Sequence, residues 1–506
     1  MKKIFNFCVL ALFLTMIISC EDGFDELNKS KTSATEIDPA FILNNAVINS
    51  STGTLIYEIG AVQQIISPFS GVLTGANYNQ DNRASTDDNW QSYYRNVIKH
   101  TKDIIAKTKD DQSRSNLMNM ARIVQANAFI ILTDTYGSIP YEEGGEGYNS
   151  QIFFPKYETQ QEIYPKIIKE LTEASAALNA SGKIETADIL YGGDVVKWKK
   201  FGYSLLLRAG MRLSKIDPAQ AQAAVTKAFE GGVSNLITQN IENALVRHDN
   251  NYKNPISNTL NSTEAANYYL TKPFVDALKT TNDPRLVSIA IRYKGVTSGS
   301  AQLPAVGTIL AADQIGLPMG KDNITAVAAA QADGLVSFYE YSQVDRRRMA
   351  KLTAPMFLVT ASQTNLLLAE ARFKGLITAG TVAQYFADGI KANMDQMVFF
   401  DPTIAIAPSD RDAYITANPI IAGTELQQIN YQYWISSFLN GPEAFANFRR
   451  SGFPALAPNP YPGKEVTWIY RLTYPNSEIS VNPENLNAAI SAQGPDKLDT
   501  KVWWNK

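Results

Sequence analysis

The sequence predicts a mainly α protein: a scaffold of paired amphipathic helices, tetratricopeptide-like, interrupted by a long loop-rich insertion. Two patterns and a composition point there. Apolar residues recur at spacings of three and four through most of the chain after Trp90, the period of a helix with one buried side. Between about residues 234 and 355 that period weakens, while Asn, Ser, Thr and Gly rise. With 45% hydrophobic and 19% charged residues over 506 positions, the chain carries enough apolar material for a large core.

The chain opens with Lys2 and Lys3, followed by an apolar run from Phe5 to Ile18. A bilayer span needs about 20 such residues and a signal sequence only about 7–15, so the run reads as a signal. It closes on Ile17-Ile18-Ser19-Cys20. An ordinary secretory signal carries small residues at both −3 and −1, and here −3 is Ile17. The ending therefore resembles a bacterial lipoprotein signal: residues 1–19 are removed and the Cys20 thiol is acylated. The other reading is a conventional signal with an incidental cysteine. Two or more acyl chains, at roughly 0.8 kcal/mol per buried CH₂, anchor stably to a membrane. Cys8 and Cys20 are the only cysteines, so the mature chain has no second thiol for a disulfide. Residues 20–35 form an acidic leader, Glu21 to Asn28, and a polar tether. Residues 36–506 are expected to form a single domain.

Asp38-Pro39 reads as a helix start, with Phe41, Leu43, Val47 and Ile48 as its apolar face. Trp90, Tyr93, Tyr94, Val97 and Ile98 predict the next helix. Leu117 to Tyr136 follows, stopped by Gly137 and Pro140. Thr159 to Leu178 and Asp194 to Leu213 come next, then a helix from Asp217-Pro218 to Gly231-Gly232. Paired helices with alanines and large aromatics at the joins resemble tetratricopeptide hairpins, although the 34-residue period is loosely kept. In the insertion Lys294 to Thr308 and Gly316 to Asn323 read as loops, and Tyr252, Tyr268, Tyr269, Tyr339 and Tyr341 stand in polar surroundings. Helical pattern returns at Thr364–Phe373, Val382–Met397, Glu425–Leu439 and Pro442–Arg449. Val466 to Lys506 reads as loop with an aromatic close at Trp503-Trp504.

Several function classes fall away. The formal net charge is −3, and the one tight basic cluster, Arg346-Arg347-Arg348, is too short for a nucleic-acid surface. No His-Glu-x-x-His, Gly-x-Ser-x-Gly or phosphate-cradling Gly-Lys-Ser/Thr loop occurs. His100 and His248 stand alone and read as surface residues. No enzyme activity is expected.

Separate segments, in order along the chain, resemble the SusD/RagB family of outer-membrane nutrient-binding lipoproteins, particularly its second subfamily. They are Cys20 with Phe24-Asp25-Glu26-Leu27-Asn28; Leu132-Thr133-Asp134-Thr135-Tyr136-Gly137-Ser138-Ile139-Pro140-Tyr141; Trp198-Lys199-Lys200-Phe201 with Leu207-Arg208; Asn365 to Ala371; Gly441-Pro442-Glu443-Ala444-Phe445 with Arg449 to Pro454; Tyr474 to Glu478; and Val502-Trp503-Trp504. Phe445 stands where a tryptophan would be expected. These motifs read as mostly structural, with Ala369-Glu370-Ala371 a tight helix contact and Arg449-Arg450 placed to pair with Glu478. The resemblance implies four tetratricopeptide-like hairpins held on the outer leaflet, exposed at the cell surface, by Cys20. It implies a lid on a SusC-like, TonB-dependent transporter, capturing oligosaccharides or peptides, and Glu21-Asp22 resembles a surface-export signal of Bacteroidota lipoproteins. The alternative is a helical-repeat scaffold that assembles envelope complexes without a small ligand.

Two stretches are the candidate ligand site. The first is Asn77-Tyr78-Asn79-Gln80-Asp81-Asn82-Arg83, running on to Trp90: Asn and Asp fork hydrogen bonds to vicinal hydroxyls or peptide groups, and Tyr or Trp faces offer stacking. The same stretch also reads as a polar turn, capped by Asp87, before a helix that buries Trp90. Asn77, Asn79, Asp81 and Asp88 also fall at positions one, three, five and twelve of a calcium loop, but Asn82 replaces the glycine and Asp88 the bidentate glutamate. No metal or cofactor is expected. The second stretch, Gly334 to Arg347, offers Tyr339 and Tyr341, although a core strand would alternate aromatics in the same way.

Overall fold

A computed structural model describes residues 37–51, 56–69, 76–262 and 265–506. Cys20, the signal, the leader and the tether lie outside the described residues. Helix α1 (Pro39–Asn49) starts where Asp38 Oδ1 accepts from the Ala40 amide at 2.8 Å, Pro39 having no N–H to satisfy. Its buried stripe is Ala40, Leu43, Ala46 and Val47. Phe41, expected on that stripe, points out and is 60% exposed. After α2 (Ile56–Ala61), α3 (Arg83–Ser92) runs through a π-helical turn, Tyr93–Ile98, into α4 (Lys99–Thr108). The wider turn keeps Tyr93 and the Val97-Ile98 pair all inward.

Helix α5 (Ser115–Tyr136) is buried along most of its length, and Gly137, at φ +86°, ends it as expected. Helices α6 (Gln160–Ala177), α7 (Val195–Arg212) and α8 (Pro218–Ala228) follow, and then α9 (Ala361–Phe373), α10 (Val382–Asp395), α11 (Glu425–Ser436) and α12 (Gly441–Ser451). Capping residues set half of these starts: Thr159 with Glu162 and Thr360 with Gln363 make capping boxes, and Asp194 accepts from two amides of α7. Sequential neighbours pack as hairpins: α4 on α5, α6 on α7, α9 on α10 and α11 on α12. The last hairpin returns onto α2 and α5, closing the array. Gly389 makes the α9–α10 contact possible, since a Cβ there would stand 2.6 Å from Leu366 Cγ.

Buried ion pairs lock these hairpins together. Asp134 on α5 accepts from Arg212 Nε of α7 (3.0 Å), the Tyr164 hydroxyl of α6 and Trp504 Nε1 (2.8 Å), while Arg212 Nη2 reaches Glu443 of α12 at 2.6 Å. Burial alone would raise the Glu443 carboxyl, yet the Arg208 and Arg212 guanidiniums hold it below its ordinary value. Arg450 grips Glu370 with both terminal nitrogens, at 2.6 and 2.7 Å, joined by Asn430 and Asn447. This corrects the pairing expected with Glu478, which instead accepts from the Tyr157 hydroxyl. Arg449 donates to the carbonyls of Phe445 and Tyr470.

The insertion departs from the scaffold where β2 (Ala244–Val246), numbered in chain order after β1 (Ile65–Ile66), pairs antiparallel with β7 (Met356–Val359). Inside it β3 (Tyr269–Leu270) pairs with β1, and β4 (Ala290–Tyr293) lies between β5 (Gly307–Thr308) and β6 (Gln343–Val344). A second small core of Ile66, Tyr269, Leu317, Met319, Phe338 and Tyr341, among others, lies beneath these strands. The chain end is more regular than its sequence suggests: Asn476–Val481 and Pro483–Gln493 are helical. No helix among the described residues is long and apolar enough to cross a membrane.

Candidate ligand-binding surface

The stretch from Asn77 to Asp81 is fastened at every polar side chain. The Asn77 side-chain amide donates to the carbonyls of Ser67 (3.1 Å) and Lys321 (2.9 Å), and its oxygen accepts from the Gly320 amide at 2.9 Å. Asn79, left-handed at φ +49°, donates to the carbonyls of Val466 and Thr467. Asparagine adopts that conformation with little strain. Asp81 pairs with Arg83 at 3.0 Å and accepts from the Thr473 hydroxyl at 2.7 Å. These contacts bring three distant loops together: residues 65–69, residues 315–323 and residues 459–467.

What that clasp leaves part-exposed is the ring of Tyr461, with Tyr78, 7% exposed, buried beneath it. Tyr78 stacks on Tyr461 with ring centroids 4.2 Å apart and planes 20° from parallel. Its hydroxyl donates to the Pro68 carbonyl at 3.1 Å, and burial, with Asp322 and Tyr461 nearby, raises its pKa so that it stays neutral. Nearby, Phe338 of the small core meets Phe69 (5.7 Å) and stacks on Tyr339 (4.4 Å). Phe69, Tyr339 and Tyr461 are each half-buried. Asn459 holds the Tyr461 loop, donating to the Asn77 carbonyl and accepting from the Tyr461 amide. Gly320 is required beneath it: φ is +69°, and a Cβ would stand 2.8 Å from the Tyr461 nitrogen.

Of the expected ligand residues, Asn77, Tyr78, Asn79, Trp90 and Tyr341 are buried, and only Asp81 and Tyr339 are part-exposed. Trp90 is 3% exposed and packed among Tyr94, Tyr136, Tyr157 and Tyr474, at centroid distances of 4.9 to 6.1 Å. No face is left for a ligand, so it is a core residue. Tyr341 is fully buried, its hydroxyl donating to Asp333 at 2.7 Å. Asp87 caps nothing, because α3 starts four residues earlier at Arg83, and that helix also carries Asp88 away from a calcium-loop geometry. Among the described residues no group of three or more His, Cys, Asp or Glu is placed to hold a metal ion.

The histidines are half-buried rather than surface groups. His100 Nδ1 bonds the Asn45 side chain and the Asn96 carbonyl, and His248 bonds the Ser51 hydroxyl and the Tyr252 carbonyl, burial lowering its pKa. Sequence reasoning passed over Phe69 and Tyr461. The latter had a signal: an aromatic inside Asn459-Pro460-Tyr461-Pro462-Gly463, where turn residues on both sides hold a ring at the surface.

Solved structures similar to this one include a chitin-binding protein, 29% identical, with a TM-score of 0.81 over 93% of this chain and 100% of that one. A Bacteroidetes SusD-like protein, AC2a, is 22% identical with a TM-score of 0.78 over 93% and 100%. A chitin-binding SusD homolog from Flavobacterium johnsoniae is also 22% identical, with a TM-score of 0.73 over 92% and 97%. No curated protein matches the chain. The family model SusD-like_2, described as starch-binding and associating with the outer membrane, matches residues 30–475. By a match running over most of its length, the chain belongs to this SusD-like family of the outer membrane.

Proposed function

We propose that the protein captures oligosaccharides at the aromatic surface formed by Tyr461, which the buried Tyr78 supports from beneath, Phe69 and Tyr339, and hands them without catalysis to a SusC-like, TonB-dependent transporter. The observation that carries this reading is the Tyr78–Tyr461 stack. The buried Tyr78 ring braces Tyr461 from one side, and the part-exposed Tyr461 ring is set beside the half-buried Phe69 and Tyr339. Sugar rings present apolar C–H faces to such platforms, and their hydroxyls meet the backbone and amide groups around them. Asn77, Asn79 and Asp81 then act as positioning residues, because their side chains are committed to the protein. The likeness to a chitin-binding protein supports glycan over peptide. The acylated Cys20 tethers the body to the outer leaflet, facing outward.

Calorimetry with starch-derived and chitin-derived oligosaccharides tests the site. By analogy with stacking of other flat ligands, Tyr461→Ala is expected to weaken binding by roughly 1–3 kcal/mol, about 5- to 150-fold. Unchanged affinity in a folded variant removes the platform from the account. Heat with peptides and none with any glycan moves the ligand to the peptide class, and no heat with either favours an envelope scaffold.

A further inference from the structure

The one tight basic cluster of the sequence, Arg346-Arg347-Arg348, follows directly on β6, and its three members meet different surroundings. Arg348 pairs with Asp345 at 2.6 Å, and Arg347 is exposed to water. Arg346 is part-exposed. Among the described residues it has no carboxylate partner: its Nη2 donates to the Gln302 side-chain oxygen at 3.3 Å, and the guanidinium lies 5.9 Å from the centre of the buried Tyr293 ring. The two carboxylates nearest to it in the chain are taken, Glu340 by Arg292 at 2.9 Å and Asp345 by Arg348. We infer that Arg346 reads a carboxylate on the captured glycan, so that the sugar held beside Tyr339 is a uronic acid.

This rests on the glycan reading of the same surface, and Gln302 is what joins the cation to it. The Gln302 amide nitrogen donates to the Tyr339 carbonyl at 2.9 Å while its oxygen takes the Arg346 bond, so a single side-chain amide separates the guanidinium from the Tyr339 backbone. The buried Tyr269 hydroxyl senses both neighbours: burial raises its pKa most, Tyr339 adds to the rise, and the Arg346 charge works against it. A guanidinium presents its donors in a planar fork that matches a carboxylate through two parallel hydrogen bonds. Here Gln302 steadies one nitrogen and the Tyr293 ring lies to one side, which leaves further donors for a ligand. A neutral sugar would use those donors without meeting the charge, and a basic peptide would be repelled by Arg346 and Arg347 together. A uronate satisfies both, stacking its ring and pairing its carboxylate.

Calorimetry with hexasaccharides of hyaluronan, polygalacturonate and alginate, each set against its carboxyl-reduced form, tests the assignment. Reduction turns the carboxylate into a neutral alcohol and leaves the ring faces unchanged. At least one acidic form is expected to bind about tenfold or more tightly than its reduced partner. Arg346→Ala should remove that preference while changing affinity for the reduced form by less than about twofold. Arg346→Lys should keep part of it, since the charge stays and the fork is lost. Added salt should weaken binding of the acidic form and spare the reduced one. A preference that survives Arg346→Ala overturns the inference, and so does an equal loss for acidic and reduced forms, which marks a structural role. Binding of neutral or reduced glycans alone overturns it too, leaving glycan capture at Tyr461 in place. Heat from no glycan of either kind ends the glycan reading, and this inference with it.

Discussion

Glu58→Gln should stabilise the protein above neutral pH and leave it unchanged in mild acid. Glu58, on α2, is fully buried and accepts one hydrogen bond, from the Asn89 side-chain amide at 3.0 Å. Its second oxygen has no partner. The Arg449 guanidinium, on α12, lies near enough to favour its charge but makes no ion pair with it. Desolvation outweighs that help and lifts its pKa from 4.5 to about 7. Between those values the unfolded chain releases a proton that the folded chain keeps, so stability falls as pH rises. Above pH 7 both states are ionised and the loss levels off. Some 2.5 pH units at 1.36 kcal/mol each give about 3 kcal/mol. Glutamine has the shape of the protonated acid and does not titrate. The variant should therefore match the parent near pH 4.5 and exceed it by about 3 kcal/mol at pH 8. Urea unfolding at both pH values measures the difference, and the subtraction cancels every other titrating group. A difference that is the same at both pH values would refute the reasoning.

Three further outcomes follow from the packing. Glu443→Ala leaves the buried Arg208 without its carboxylate and Arg212 with Asp134 alone, and should cost about 3–5 kcal/mol in denaturant unfolding; a loss under about 1 kcal/mol would show the network to be dispensable. Glu370 is buried, which opposes its charge, but Arg450 overrides this and holds its carboxyl down to about 2. The stability it contributes is present above its ordinary value of 4.5 and lost as pH falls toward 2, so the parent's advantage over Glu370→Gln should shrink across that window. Trp90→Ala should lower stability by about 3–5 kcal/mol, while glycan affinity per folded molecule stays unchanged. Affinity lost in proportion to a stacking contact would put Trp90 back on the binding surface.

Much of the scaffold was legible because helix period and capping chemistry are local. Asp38-Pro39, Thr159 with Glu162 and Gly137 each mark a boundary through contacts within five residues. The site was less legible for the complementary reason. Asn77, Asn79 and Asp81 look alike whether they face a ligand or a carbonyl some 390 residues away, and nothing local to them names Val466 or Thr473 as the partner. Trp90 shows the same ambiguity, since a core ring and a stacking ring share one helical spacing. Arg450 could be assigned a partner only after folding placed α9 beside α11 and α12. The helices at residues 476–493 escaped notice because they are short and broken at Asn482-Pro483, with few large apolar residues.

The same physics explains why the candidate surface is aromatic when its sequence is so polar. Strands in the insertion are two to four residues long, so few of the surrounding backbone groups are paired in ladders. Buried carbonyls and amides left over need partners from side chains. Asn77, Asn79 and Asn459 supply them for Ser67, Lys321, Gly320, Val466, Thr467 and Tyr461. A side chain consumed in this way cannot also greet a ligand, whereas a ring stacked on one side keeps its other face or its edge. The polar residues that make the loops look like a sugar site are what hold them rigid, and the rings they position are left for binding. Substituting Asn77 should therefore disturb the Tyr78–Tyr461 geometry and stability together, while substituting Tyr461 should touch affinity with little change in the fold.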